Sequence, residues 1–227
     1  FEFTDNIIFK NLNFSYTGKK NFSLDIDSLK ILKGESIGIT GKSGSGKTTF
    51  LNIITGLIQR NKFEIFFDNN KLNNEDILDY QKLIEYLPQN IFILNDSIKK
   101  NIAFGLEENQ INFNKVREAA KLAEIDNFIE NDCDDKYNTI VGENAIKLSG
   151  GQRQRIGIAR SLYLDKEIII FDEATNSLDE DTELRVIANI LSKKNKTIII
   201  VTHNKKLLNK LDRAIYFEDG KIVKKVS

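Results

Sequence analysis

Hydrophobic positions along the chain follow two rhythms. From Ile7 to Tyr16 and from Phe22 to Leu29, apolar residues alternate with polar ones or cluster over a strand's length, and the turn-forming Thr17-Gly18-Lys19-Lys20 separates the two runs. Ser36 to Thr40 is a short apolar run, and beyond a glycine-rich stretch Lys47 to Ile58 carries Phe50, Leu51, Ile54 and Leu57 at helical spacing. Between Tyr86 and Tyr163 the strand character fades, and helices are expected over Ser97 to Phe104, Lys115 to Ile125 and Gly151 to Tyr163. Strand-length runs return at Glu167 to Phe171, Thr197 to Thr202 and Ala214 to Glu218, with a helix over Asp181 to Ser192. Strands alternating with helices predict an α/β fold with a largely parallel sheet. The middle of the chain predicts a helical insertion, so that 1–85 and 164–227 form the core and 86–163 the inserted subdomain. No internal repeat or low-complexity linker interrupts the pattern.

Composition narrows the classes. A chain of 227 residues, 41% hydrophobic, can bury a full core as one domain. Lys+Arg and Asp+Glu are both 33, so the net charge gives no reason to expect nucleic acid as a partner. The longest apolar runs, such as Ile168 to Phe171 and Ile198 to Val201, are of strand length and too short to span a bilayer. One cysteine, Cys133, excludes an internal disulfide; it lies among Asn131, Asp132, Asp134 and Asp135 with no His or Lys beside it to activate it, and reads as an incidental thiol. The chain opens at Phe1 in strand-like sequence and contains no methionine, so it is expected to be a piece of a longer polypeptide.

The chemistry starts at Gly41-Lys42-Ser43-Gly44-Ser45-Gly46-Lys47-Thr48, which lies between an expected strand and an expected helix. Glycines at these intervals let the backbone curl so that consecutive N–H groups face phosphate oxygens, and the helix N-terminus adds its partial positive charge. Lys47 would reach the β- and γ-phosphates, and Thr48 would place its hydroxyl on Mg²⁺. The buried run Ile168 to Phe171 ends in Asp172-Glu173, two acids at the carboxyl end of a strand, where open α/β sheets bind their ligands. Alone, such acids read as helix N-terminal charges. Paired with a phosphate loop, Asp172 is expected near Mg²⁺ and Glu173 to polarise the water that attacks the γ-phosphate.

Leu148-Ser149-Gly150-Gly151-Gln152 completes the set. With it, the whole chain resembles the nucleotide-binding domain of ATP-binding cassette (ABC) transporters, whose signature motif this pentapeptide matches letter for letter. The resemblance implies a P-loop NTPase (RecA-like) core with an antiparallel β subdomain and an inserted α-helical subdomain, and a Mg²⁺-dependent ATPase. It implies ATP contacts at Tyr16, stacked on adenine, and at Gly41, Lys42, Ser43, Gly44, Ser45, Gly46, Lys47, Thr48 and Thr49. Gln89, in Tyr86-Leu87-Pro88-Gln89, is similar to the glutamine that touches Mg²⁺ and the attacking water, so Thr48, Gln89 and Asp172 become the metal set. His203, the one histidine, matches the residue that senses the γ-phosphate; with Glu173, Lys47 and Gln89 it makes up the catalytic group. Ser149, the Gly150 and Gly151 amides and the helix that follows would form a second anion cradle, facing the ATP of another copy. Asn176-Ser177-Leu178-Asp179 resembles the loop that crosses to that partner, with Ser177, Leu178 and Asp179 at the dimer contact.

Two further segments point to the exporter branch: Thr139-Ile140-Val141-Gly142-Glu143 and Ser97-Ile98-Lys99-Lys100-Asn101-Ile102-Ala103-Phe104-Gly105. Both lie where the resemblance places the coupling helices of a transmembrane domain, expected on the same polypeptide, at the cytoplasmic face of a membrane. The ATPase subunit of an importer and a soluble, non-transport ABC ATPase are the alternatives. The chain departs from the family pattern at Asn144-Ala145, where glycine is common, at Asn69-Asn70, where Asp-Gly is common, and at its end soon after Asp219 to Val223. Asparagine tolerates positive φ, so the turn at Asn69 can survive.

Overall fold

The computed structural model describes residues 2–16, 23–58, 63–142, 147–193 and 195–226. The expected turn at Thr17 to Lys20, the strand start at Phe22, and Glu143, Asn144 and Ala145 lie outside the described residues. In chain order the strands and α-helices are β1 (Asn6–Phe14), β2 (Leu24–Leu32), β3 (Ser36–Gly41), α1 (Lys47–Ile54), β4 (Glu64–Phe67), β5 (Asn70–Lys71), α2 (Ile77–Lys82), β6 (Ile84–Leu87), β7 (Asp96–Ser97) and α3 (Ile98–Ile102). They continue with α4 (Phe113–Leu122), α5 (Asp126–Asp132), β8 (Ile140–Val141), α6 (Gly150–Leu164), β9 (Ile168–Asp172), α7 (Glu180–Leu191), β10 (Thr197–Val201), α8 (Lys205–Leu208), β11 (Arg213–Glu218) and β12 (Lys221–Val226). The chain divides into two compact units, one of 1–86, 167–172 and 194–227, the other of 87–166 and 173–193.

The first unit holds two sheets, one ordered β2-β1-β4-β5 and antiparallel throughout, the other ordered β12-β11-β3-β10-β9-β6. In the second sheet β3 runs parallel to β10 and β11, and β10 runs parallel to β9, so the expected parallel core is present. Its central strands are buried on both faces: the pattern of β10, Thr197 to Val201, is buried at every position, which is why they read as continuous apolar runs rather than alternating ones. Helix α1 fills the space between the sheets. Its Phe50 is fully buried, with its ring 5.6 Å from Phe9 of β1 and 5.3 Å from Phe217 of β11. The helix is shorter than its apolar spacing suggests because Gly56 turns at φ 70° and the Leu57 amide bonds back to Asn52 O at 2.9 Å. Between β4 and β5 a two-residue turn forms without the usual glycine, but at Asp68 and Asn69, with φ 47° and 68°, one residue before the expected Asn69-Asn70, since Asn70 pairs with Phe67 as part of β5.

In the second unit α3 and α4 pack on α6, with Ile98, Ile102, Val116, Ala119, Ala120, Ile156 and Ile158 buried. The expected helix over Lys115 to Ile125 is α4, which ends at Leu122, and a separate helix, α5, follows from Asp126. Asn112 caps α4 through Oδ1 to the Lys115 amide at 3.1 Å, and Glu124 at φ 57° breaks the helix before α5. The short antiparallel pair β7 and β8 adds strand structure to a region where helices are expected to dominate. Residues 173–193, placed with the core from the sequence, group with this unit instead. There Asn189 Nδ2 donates to Leu122 O at 3.1 Å and to Glu124 Oε1 at 3.1 Å, and Lys193 pairs with Glu118 at 2.8 Å, tying α7 to the α4 segment. Cys133 is buried, and burial pushes its thiol pKa up, which suits an inert side chain.

Candidate nucleotide site

Sheet register assembles the first half of the site. Val201 of β10 pairs with Ile39 of β3 on one side and with Asp172 of β9 on the other, while Phe217 of β11 pairs with Gly41. The carboxyl ends of adjacent strands therefore come level, and the residues that follow, 41–48 after β3 and 202–203 after β10, leave the sheet at the edge where Asp172 ends β9. Open α/β sheets bind ligands at this edge.

The loop after β3 has the backbone that a phosphate cradle needs. Gly41, Gly44 and Gly46 have φ of 146°, 79° and 109°, values that side chains disfavour. A Cβ at Gly41 would lie 2.2 Å from Phe217 O, whereas one at Gly44 would meet nothing within 4 Å, so open space stands over the loop at that point. Lys47 is 7% exposed and its Nζ donates to Gly41 O at 2.7 Å and Lys42 O at 3.0 Å, which folds the ammonium over the loop. Ser45 is buried, and among the described residues its Oγ has no hydrogen-bond partner. Lys42, Ser43 and Thr48 are exposed, and Thr49 is buried in α1. A buried ammonium, a loop curled at three positive-φ glycines and the open space at Gly44 fit an anionic phosphate chain. The exposed Thr48 hydroxyl and the Asp172 carboxylate are oxygen donors of the type a hard cation such as Mg²⁺ takes.

Asp172 is held by a residue that sequence reasoning quoted only as part of the Gln89 motif. Tyr86 of β6 donates its hydroxyl to Asp172 Oδ2 at 2.7 Å, and burial, reinforced by that carboxylate, pushes the phenol well above its ordinary pKa. Tyr16 is 36% exposed and stands edge-on to Phe14 with the ring centres 4.9 Å apart. His203 is exposed. Its loop is shaped by Thr202 Oγ1, which accepts the Asn204 amide at 3.0 Å, and by Asn204 Oδ1, which caps α8.

The second unit carries the other group. Ser149 is the N-cap of α6: its Oγ accepts the Gln152 amide at 3.2 Å, and Gln152 Oε1 accepts the Ser149 amide at 2.7 Å, a reciprocal capping box. The Gln152 side chain thus shapes the helix start. Leu148 is buried beneath it, and Arg153 donates to Leu148 O at 2.8 Å. In the same unit Glu173 stands at φ 53°, and its Oε2 accepts Asn176 Nδ2 at 2.9 Å and, more loosely, Gln89 Nε2 at 3.4 Å. Asn176 reads in the sequence only as part of the loop expected to cross to a partner, because its contact with Glu173 depends on the tight turn that follows that residue. Asp179 caps α7 through Oδ1 to the Thr182 amide at 2.9 Å, and that bond holds its carboxyl below the usual range. Ser177 is exposed and Leu178 half-buried. The exporter-like segment at 97–105 has a structural logic: Ser97 caps α3, and the fully buried Asn101 bonds through Nδ2 to Leu94 O and Ser97 O and through Oδ1 to the Leu94 amide. A cleft of about 590 Å³ in this unit is lined by Ile91, Phe92, Gly142, Lys147, Leu148 and Arg153.

The family profile described as ABC transporter matches residues 24–176. The ATP-dependent lipid A-core flippases of Escherichia coli (strain K12) and Shigella flexneri are each 36% identical over 223 residues, 98% of this chain and 38% of the relative. A bacterial Atm1-family ABC exporter solved with ATP bound superposes with a TM-score of 0.87 at 28% identity, over 98% of this chain and 39% of that one. The chain thus spans about two fifths of the length of these relatives, and none of its described helices is long and apolar enough to cross a membrane. It belongs to the ABC transporter family.

Proposed function

We propose that the chain binds Mg·ATP and hydrolyses it to drive an exporter, two copies closing head to tail around two nucleotides at the cytoplasmic face of a membrane. The observation that carries this reading is the register that levels the phosphate loop, Asp172 and the residues before His203 at one sheet edge. Each ATP would contact Tyr16, the loop from Gly41 to Thr49, Gln89, Glu173 and His203 of one copy, and Leu148 to Gln152 of the other. Ser177, Leu178 and Asp179 would meet the partner, an identical or a related domain.

The residues divide the work by their chemistry. Tyr16 offers an aromatic face to the adenine. The loop amides and Lys47 neutralise the phosphates, and Lys47 must exchange its bonds to Gly41 O and Lys42 O for phosphate oxygens. Thr48, Asp172 and Gln89 would hold Mg²⁺, which when bound supplies positive charge against the β- and γ-phosphates. Glu173, turned by its positive φ and oriented by Asn176, would take the proton of the attacking water. His203 would donate to the γ-phosphate, and Ser149 with the Gly150 and Gly151 amides would receive the same phosphate from the second copy. Loss of that phosphate removes what joins the two copies, so they separate.

Transport is the part that needs the rest of the polypeptide. The cleft at Phe92 and Gly142, beside the segment 97–105, is a suitable seat for coupling helices of a transmembrane domain, with Phe92 69% exposed at its rim.

Glu173→Gln, examined by gel filtration and ATPase assay, tests this reading. Turnover is expected to fall by roughly a hundredfold or more, and the variant to elute as a dimer with ATP but not with ADP. Hydrolysis at the wild-type rate would remove Glu173 from the mechanism.

A further inference from the structure

The loop that follows Glu173 is held by the helix that opens at Ser149. Gln154, in the second turn of α6, is 4% exposed, and its Oε1 accepts the Ser177 amide at 2.8 Å. The helix start is fitted to the same residue. A Cβ on Gly150 would come within 3.3 Å of Ser177 Cβ, and one on Gly151 within 3.2 Å of Ser177 O and 3.6 Å of Leu178 Cδ2. The two glycines therefore admit the loop as well as any anion.

From Ser177 the chain returns to Glu173 with little slack. Leu178 N donates to Thr175 O at 3.0 Å, Asn176 N to Glu173 O at 3.2 Å, and Asn176 Nδ2 to Glu173 Oε2 at 2.9 Å. Thr175, itself buried, donates its hydroxyl to Glu183 Oε1 at 2.6 Å, which anchors the turn on α7. These bonds link the turn at Ser177 to the Glu173 carboxylate.

Helix packing does not require an amide at Gln154, because an apolar side chain of equal length would fill the space without the cost of burying a polar group. Holding an exposed loop in register with the helix start does require one. We infer that Gln154 is a positioning residue that locks Ser177, and through it the Glu173 carboxylate, to the Ser149–Gln152 cradle. The inference rests on the proposed function, under which Glu173 and Ser149 of one chain serve different ATP molecules. Gln154 then makes closure on one nucleotide felt at the carboxylate that acts on the other.

Two variants separate this role from a structural one. Gln154→Met keeps the length and removes the acceptor; Gln154→Glu keeps an acceptor oxygen. The expected result for Gln154→Met is a kcat about tenfold lower with the KM for ATP changed by less than about twofold, an unchanged Tm, and faster hydrogen exchange at the Ser177 amide. Gln154→Glu is expected to recover kcat to within about threefold of wild type. A Gln154→Met chain with wild-type kcat, or one whose kcat, KM and Tm all worsen without rescue by Gln154→Glu, overturns the inference. So does a Ser177 amide that exchanges freely in the unaltered chain, a measurement that needs no variant. A wild-type chain that fails to hydrolyse ATP at all would instead sink the proposed function, which keeps the two failures apart.

Discussion

Tyr86 and Asp172, on neighbouring strands, are joined by a hydrogen bond of 2.7 Å from the phenol to the carboxylate. Burial, reinforced by that carboxylate, pushes the phenol's pKa up, so at neutral pH the phenol is protonated and donates. Tyr86→Phe removes this bond while keeping the ring. ATPase activity is expected to fall by about two- to tenfold, the span of a typical single hydrogen bond, and the Mg²⁺ concentration for half-maximal rate to rise. Titrating the variant's ATPase with Mg²⁺ checks both; an unchanged titration would mean that Asp172 is oriented without Tyr86.

Phe50 joins the helix after the phosphate loop to both sheets of its unit, through Phe9 and Phe217. Its ring is fully buried. Phe50→Ala leaves a cavity where three aromatic rings meet and is expected to lower stability by about 3–5 kcal/mol. Urea unfolding followed by circular dichroism reads this directly, and a loss below about 1 kcal/mol would show that the sheets close over the space.

Asp68 offers a pH test. Partial burial works to raise its pKa, but the amides of Thr4, Asp5 and Asn6, at 2.6, 2.7 and 2.9 Å, together outweigh it and hold the carboxyl below its ordinary value. A carboxyl whose pKa is lower folded than unfolded adds stability above its unfolded pKa, near 4, and loses it as the pH falls through the folded value. The wild type should therefore be more stable than Asp68→Asn at pH 7, by about 1–2 kcal/mol, and the gap should close on acidification below about pH 4. A gap independent of pH would point to shape rather than charge.

Much of this was legible in the chain. The runs at Ser36 to Thr40, Ile168 to Phe171 and Thr197 to Thr202 are buried on both faces, and such strands announce themselves as unbroken apolar stretches. The phosphate loop is legible because its glycines answer a backbone requirement that few other sequences meet. The strands Glu64 to Phe67 and Lys221 to Val226 and the helix Ile77 to Lys82 are short and mixed, and only their partners in the sheets and core define them. Helix ends are set by the Asn112 cap and the left-handed Gly56 rather than by apolar spacing. The contacts of Tyr86, Asn176 and Gln154 are illegible in the sequence for one reason: each joins segments distant in sequence or closes a tight turn, and neither leaves a periodic trace.

The central claim is that one chain carries two half-sites and completes neither alone. It is tested most directly by the rate of ATP hydrolysis as a function of the concentration of this chain at saturating ATP. If closure of two copies makes the active site, the rate rises with the square of chain concentration when the chain is dilute, while nucleotide bound per chain stays constant. A rate strictly proportional to chain concentration, down to the most dilute samples, would contradict the account.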